Sequence, residues 1–169
     1  MFKNKFLLFL FLIVLYSGNL YSNDNIVYMN FNFVINNSNI GKKVLVGLNE
    51  LNKKNLQNLK DYEVKLTEEI NEINKIKNIA SPEDIKKKIS LHNQNVKEYD
   101  QLKKTLSDEL NKKRTEEMNK LVNLINPILE NYMKENSIDI ILNKEVVYFA
   151  KDKYDISKKI LDLTNSKYK

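Results

Sequence analysis

Apolar positions along this chain change their period several times, and each change predicts a different element. Residues 26–30 (IVYMN) are β-branched and aromatic and predict a strand. The FNFVINNSN stretch that follows carries Asn36, Asn37 and Ser38, which supply turn or N-cap chemistry. From Gly41 the spacing becomes helical. Val44, Leu48 and Leu51 recur three and four residues apart, and so do Leu59, Tyr62, Leu66, Ile70 and Ile73. Four polar residues, 52–55, interrupt that stripe. The pattern predicts an arm reaching about Ile79, roughly 40 residues or about 60 Å as one helix.

The sequence Ser81-Pro82-Glu83-Asp84 is the strongest local signal. Ser81 suits the cap, Pro82 the first helical position, and an acid follows three residues after the cap. One helix therefore ends near Asn78 and another begins at Pro82, a connection short enough to predict antiparallel neighbours. The second arm carries Ile85, Ile89, Val96, Tyr99, Leu102, Leu106 and Leu110 at helical spacing. Acid-to-lysine pairs four residues apart, from Glu83 and Lys87 to Glu116 and Lys120, predict a solvated outer face. Pro127 is expected to kink or break this helix where it returns to the base. Past Asn136 and Ser137, residues 138–143 (IDIILN) and 146–150 (VVYFA) predict two short strands joined by a turn at Asn143 and Lys144. Asp155 then caps a last helix bearing Ile156, Ile160, Leu161 and Leu163.

The chain start reads as an export signal. Lys3 and Lys5 precede the uncharged run 6–16 (FLLFLFLIVLY), which falls far short of the roughly 20 residues a membrane-spanning helix needs. Ser17 and Gly18 break the run, and Ser22 suits the position before cleavage, so residues 1–22 are expected to be a signal peptide. The expected divisions of the rest are an association body over 23–40 and 136–169, rich in β-structure with a short C-terminal helix, and helical arms over 41–135 with a tip near 78–82. The chain has no cysteine, which removes disulfides, thiolate metal sites and a lipid-linked cysteine anchor. The formal charge of +6 falls to +4 without Lys3 and Lys5. Arg114 is the one arginine among 28 basic residues, which argues against a nucleic-acid partner.

Nothing in the sequence assembles a reaction centre. His92 is the single histidine and sits mid-arm, and there is no Gly-rich phosphate loop, nucleophile elbow or isolated carboxylate pair. The expectation is no enzyme and no cofactor. Instead, the layout suits something that holds, spaces or assembles. A coiled-coil envelope spacer without clients is the competing expectation, although it would favour uninterrupted heptads and plain ends. At the tip, Lys75, Lys77, Lys86, Lys87 and Lys88 outnumber two acids between Asn74 and Lys88 and offer a candidate surface for anionic lipid or lipopolysaccharide.

Both ends of this sequence resemble the periplasmic chaperone family Skp, also called OmpH. Its members open with I-A-Y-V-D-x-x-x-V-L-x-x-S-x-x-G-K-K. This chain has Ile26-Val27-Tyr28-Met29-Asn30, Val34-Ile35, Ser38 and Gly41-Lys42-Lys43. The family closes with a segment like I-D-L-I-L-x-K-x-x-V-x-Y-A and then D-I-T. The counterparts here are IDIILNKEVVYFA and Asp155-Ile156-Ser157. Asn30 departs from the family's aspartate. The resemblance implies a mainly α protein with a small β component: a long antiparallel helical hairpin, its arms coiled-coil, on a small β-barrel-like trimerisation body. It implies a homotrimer that holds unfolded outer-membrane proteins in a cavity between arms, in the periplasm and without ATP. Ile26, Tyr28, Ile140, Leu142, Val147 and Tyr148 are then the candidates for the oligomerisation body. Leu59, Leu66, Ile70, Val96, Tyr99 and Leu106 are the candidates for client contact or for the seam between arms, which sequence does not divide.

Overall fold

The computed structural model describes residues 25–169, so the expected signal peptide lies outside the described residues. The fold is mainly helical with one small sheet. Strand β1 spans Ile26–Met29 and is followed by helix α1, Phe31–Asn37, and helix α2, Asn39–Ile76. Helix α3 spans Pro82–Glu135, and strand β2 spans Ile140–Asn143. Two 3-10 turns, Lys144–Val146 and Asp152–Tyr154, lead to helix α4, Ser157–Lys167.

The stretch expected to supply turn or N-cap chemistry does so at Ser38, the cap of α2, but most of it forms helix α1, which the sequence pattern does not predict. Its asparagines are poor helix formers, but Val34 and Ile35 are both driven into the core, at 0% and 1% exposed. Asn30 starts the helix by accepting the Phe33 amide on its side chain at 2.8 Å, a role asparagine fills as well as aspartate does. Ser38 then joins α1 to α2. Its buried hydroxyl oxygen accepts the Gly41 amide at 3.1 Å and its hydroxyl donates to the Ile35 carbonyl at 3.2 Å. Gly41 must lack a side chain, because a Cβ there would stand 1.7 Å from the Ile35 carbonyl oxygen.

Helices α2 and α3, 38 and 54 residues long, extend over about 57 Å and about 81 Å. Their contacts run in opposite senses along the two helices. Asn55 meets Leu106, Tyr62 meets Glu98, Glu69 meets His92, and Glu72 meets Lys88. Ser81 caps α3 as its sequence predicts, accepting the Asp84 amide at 3.1 Å. Pro127 does not break α3, which runs unbroken from Pro82 to Glu135. Pro127 and Asn123, whose carbonyl loses its helical donor, are both exposed, so water can satisfy that group. Of the expected outer-face pairs, Glu83 and Lys87 meet at 3.1 Å, while Lys120 turns to Glu117 at 2.9 Å instead of Glu116.

The core lies where both ends of the described chain meet the C-terminal part of α3. Val27 and Met29 of β1 pack there with Val34, Ile35, Leu121, Ile125, Ile138, Ile156 and Ile160. Strands β1 and β2 pair in parallel, Ile26 beside Ile140 and Tyr28 beside Leu142. The crossover that parallel strands require is here the whole run from α1 to α3. This corrects the expected strand hairpin. Asn143 accepts the Glu145 amide on its side chain, a 3-10 turn follows, and residues 147–150 leave without a ladder partner. Val147 and Tyr148 are therefore not strand residues within one chain.

Candidate functional site

Three surfaces carry the candidate residues, one of them the hairpin tip, where Lys75, Lys77 and Lys86 are exposed while Lys87 meets Glu83 at 3.1 Å and Lys88 meets Glu72 at 3.5 Å. The first is the outer face of the small sheet. Alternation along β1 and β2 sends Val27, Met29 and Ile141 toward the core, leaving Ile26, Tyr28, Ile140 and Leu142 on the opposite face. Three of these stay open to water: Ile26 at 42%, Ile140 at 44% and Leu142 at 40% exposed. Tyr28 differs, being buried within its own chain under Lys144, whose Nζ lies 5.6 Å from the ring centre. Beyond β2, Tyr148 and Phe149 are almost wholly exposed and Val146 is three-quarters exposed, whereas Val147 is half-buried. An open apolar face leading into bare aromatic residues is unusual for a chain that stays alone.

A polar knot fixes this region. Lys144 Nζ meets Asp155 Oδ2 at 2.8 Å, the Ser157 amide donates to Asp155 Oδ1, and the Asn30 amide donates to the Ser157 hydroxyl at 2.8 Å. Burial pushes the Asp155 carboxyl upward, but the Lys144 ammonium and the Ser157 hydroxyl and amide outweigh it and hold it below its ordinary value. The other edge of β1 is occupied too, since the Ile156 amide donates to the Tyr28 carbonyl at 3.0 Å. The outer edge of β2 has no strand neighbour among the described residues.

The second surface is the pair α2 and α3. Its seam is apolar at buried Leu48 and Ile73, and between them polar contacts alternate with half-buried leucines. Asn55, within the stretch expected to interrupt the stripe, is instead buried in the seam with its amide 3.4 Å from the Leu106 carbonyl. Tyr62 donates to Glu98 at 3.3 Å, Tyr99 donates to Glu63, and the two rings lie 5.8 Å apart. Glu69 accepts the Asn95 amide at 2.7 Å and faces His92 Nδ1 at 3.1 Å. Tyr99 is therefore a seam residue, and Leu59, Leu66 and Leu106 are half-buried on the same faces. Ile70 and Val96 remain exposed. So do Leu56, Val64, Ile89 and Leu91, of which Leu56, Val64 and Leu91 fall outside the periodic stripe and were missed for that reason. At the core end of the pair, Val44, Gly47, Leu48 and Leu51 line an open hollow of about 490 Å³ beside Lys113 and Glu117.

Both seam phenols titrate above their ordinary value. For Tyr62 the causes are partial removal from water, the hydrogen bond to Glu98 and the nearby carboxylates; for Tyr99 the hydrogen bond to Glu63 leads. A pKa raised on folding adds stability that is complete below the unfolded value of about 10 and is lost as pH rises through the folded value. The melting midpoint should therefore hold steady from neutral pH and fall above about pH 10. In a Tyr62→Phe, Tyr99→Phe variant, calorimetry should find a shallower alkaline fall. An unchanged slope would remove these phenols from the account.

The family model for outer membrane protein (OmpH-like) matches residues 25–163. The chain belongs to this family. The described OmpH-like fold is also similar to a solved structure, that of a candidate outer membrane chaperone (OmpH-like) from Caulobacter crescentus CB15. The TM-score is 0.78 at 12% sequence identity, with 85% of each chain covered. At that identity the likeness is one of fold. No curated protein matches the chain. In OmpH-like terms, the Ser38 and Gly41 pair of the opening motif has a physical reason, since one caps α2 and the other lets it pass the Ile35 carbonyl.

Proposed function

We propose that this OmpH-like chain is a holdase that keeps unfolded outer-membrane proteins soluble, without nucleotide, on their way through the periplasm. Three chains associate through the outer faces of their sheets and the 146–149 segments, closing a small barrel-like body. The antiparallel arms, α2 and α3, project from it around a cavity. The observation that carries this proposal is the open apolar face of Ile26, Ile140 and Leu142 continuing into Tyr148 and Phe149. The described residues of one chain leave that surface and the β2 edge uncovered, and association is the ordinary remedy. Family membership supports the chaperone activity.

Clients are held by many weak contacts along the arms. Ile70 and Val96 are the exposed members of the original candidates, joined by Leu56, Val64, Ile89 and Leu91. Such scattered apolar positions among lysines and glutamates suit varied unfolded chains better than one tight pocket would. Leu59, Leu66, Tyr99 and Leu106 serve the seam and set the shape of the arm. The test is dilution of a urea-unfolded outer-membrane barrel protein into buffer without nucleotide. Suppressed light scattering at one client per three chains is the expected outcome. Scattering equal to that of the client alone would sink the proposal.

A further inference from the structure

We propose that the ion pair of Lys144 and Asp155 is what lets the outer sheet face associate, and that acid separates the chains by protonating Asp155 and leaving Lys144 a lone cation in the interface. This deepens the reading in which the outer faces of the sheets meet, and rests on it.

Asp155 stands where several elements join. Its Oδ2 accepts the Lys144 ammonium at 2.8 Å, and its Oδ1 accepts the Ser157 amide at 2.9 Å. The Ser157 hydroxyl in turn accepts the Asn30 amide at 2.8 Å, and the neighbouring Ile156 amide donates to the Tyr28 carbonyl at 3.0 Å. One carboxylate thus ties the turn after β2 to the start of α4, beside β1 and the cap of α1.

Lys144 is the other half of the pair, and it lies on the open side. Its side chain is 50% exposed, and its Nζ lies 5.6 Å from the centre of the Tyr28 ring. Tyr28 shares the outer face with Ile26, Ile140 and Leu142. Covering that face with another chain therefore takes the Lys144 ammonium out of water. A desolvated cation is tolerated when a carboxylate is bonded to it and is costly when it stands alone. Other charges do not replace Asp155. Asp152 attracts Lys144 without bonding to it, Glu145 is turned to the Asn32 amide at 2.9 Å, and Lys158, lining the same hollow, has the wrong sign. From α1 the hollow is faced only by Phe33, and from β1 Lys144 is faced by Tyr28. The Asp155 carboxyl is held below its ordinary value of 3.8, so its contribution is complete above that value and is lost as pH falls below it.

The test follows the sedimentation mass of residues 23–169 from pH 7 to about pH 2, in about 0.5 M salt to screen exposed charges. Far-ultraviolet circular dichroism runs beside it. Wild type should be assembled at pH 7 and separate in acid with its helicity kept. Asp155→Asn retains an oxygen for the Ser157 amide but no charge for Lys144, and should associate about tenfold more weakly at pH 7. Lys144→Met should reverse the profile, weakened at pH 7 by a lone carboxylate and strengthened in acid once that carboxylate is neutral. A merely structural knot would not produce that reversal. Helicity lost together with the mass would mean unfolding and would overturn the proposal, as would a wild-type assembly that survives acid. Asp155→Asn assembling as wild type does would overturn this inference alone, whereas wild-type chains that stay single at every pH would overturn the assembly reading and this inference with it.

Discussion

Gly41→Ala is expected to unfold or deeply destabilise the protein, by about 3 kcal/mol or more, although it adds a single methyl group to a helix. Alanine normally stabilises a helix relative to glycine by about 1 kcal/mol, so propensity predicts the opposite sign. Sterics decide it. The new Cβ would lie 1.7 Å from the Ile35 carbonyl oxygen, 2.7 Å from the carbonyl carbon and 2.9 Å from Ser38 Oγ. Two of those atoms are backbone, held in place by the buried Val34 and Ile35. Relief requires α1 to separate from α2, which also breaks the Ser38 cap. Gly47→Ala is the control, since a Cβ there meets nothing within 4 Å. Thermal unfolding should show a sharply lowered midpoint for the first and little change, or a small rise, for the second.

Leu142→Asp should turn the assembly into folded single chains. Leu142 is 40% exposed on the outer sheet face, so a carboxylate there is solvated while the chain is alone. In the proposed assembly the same carboxylate would be buried without a partner, at a cost of several kcal/mol. Tyr28→Asp is a poorer test, because Tyr28 is 6% exposed within its own chain and the change would attack folding as well. The measurement is light-scattering mass beside far-ultraviolet circular dichroism. A monomer of unchanged helicity is the expected outcome, and a variant that keeps the wild-type mass would show that this face does not associate.

Much of the fold is legible in the sequence where one signal acts alone. The Ser81-Pro82 start of α3 and the helical spacing of both long helices are of this kind, because local capping and periodicity decide them. What was not legible depends on packing between distant segments. Helix α1 is written in asparagines and forms because the core claims Val34 and Ile35. Asn55 looks like a break in an apolar stripe, yet it is buried where it can donate to the Leu106 carbonyl of the opposite helix. Residues 146–150 have strand composition, but a strand also needs a partner, and none stands beside them among the described residues. The candidate surfaces were legible to the same degree. The resemblance points to Ile26, Tyr28, Ile140 and Leu142 as a set, but their shared face comes from the parallel register of β1 and β2, and no pattern could foretell that Lys144 covers Tyr28. Among the arm candidates, only the seam's own hydrogen bonds separate Tyr99 from exposed Ile70 and Val96.

The proposed holdase would assemble in threes and hold an unfolded outer-membrane protein between its arms without nucleotide. Sedimentation velocity of residues 23–169 mixed with an unfolded barrel protein, in buffer free of ATP, tests both halves at once. The expected result is one soluble species containing three copies of the chain and one client. A chain that sediments as a monomer while the client pellets as it does alone would contradict it.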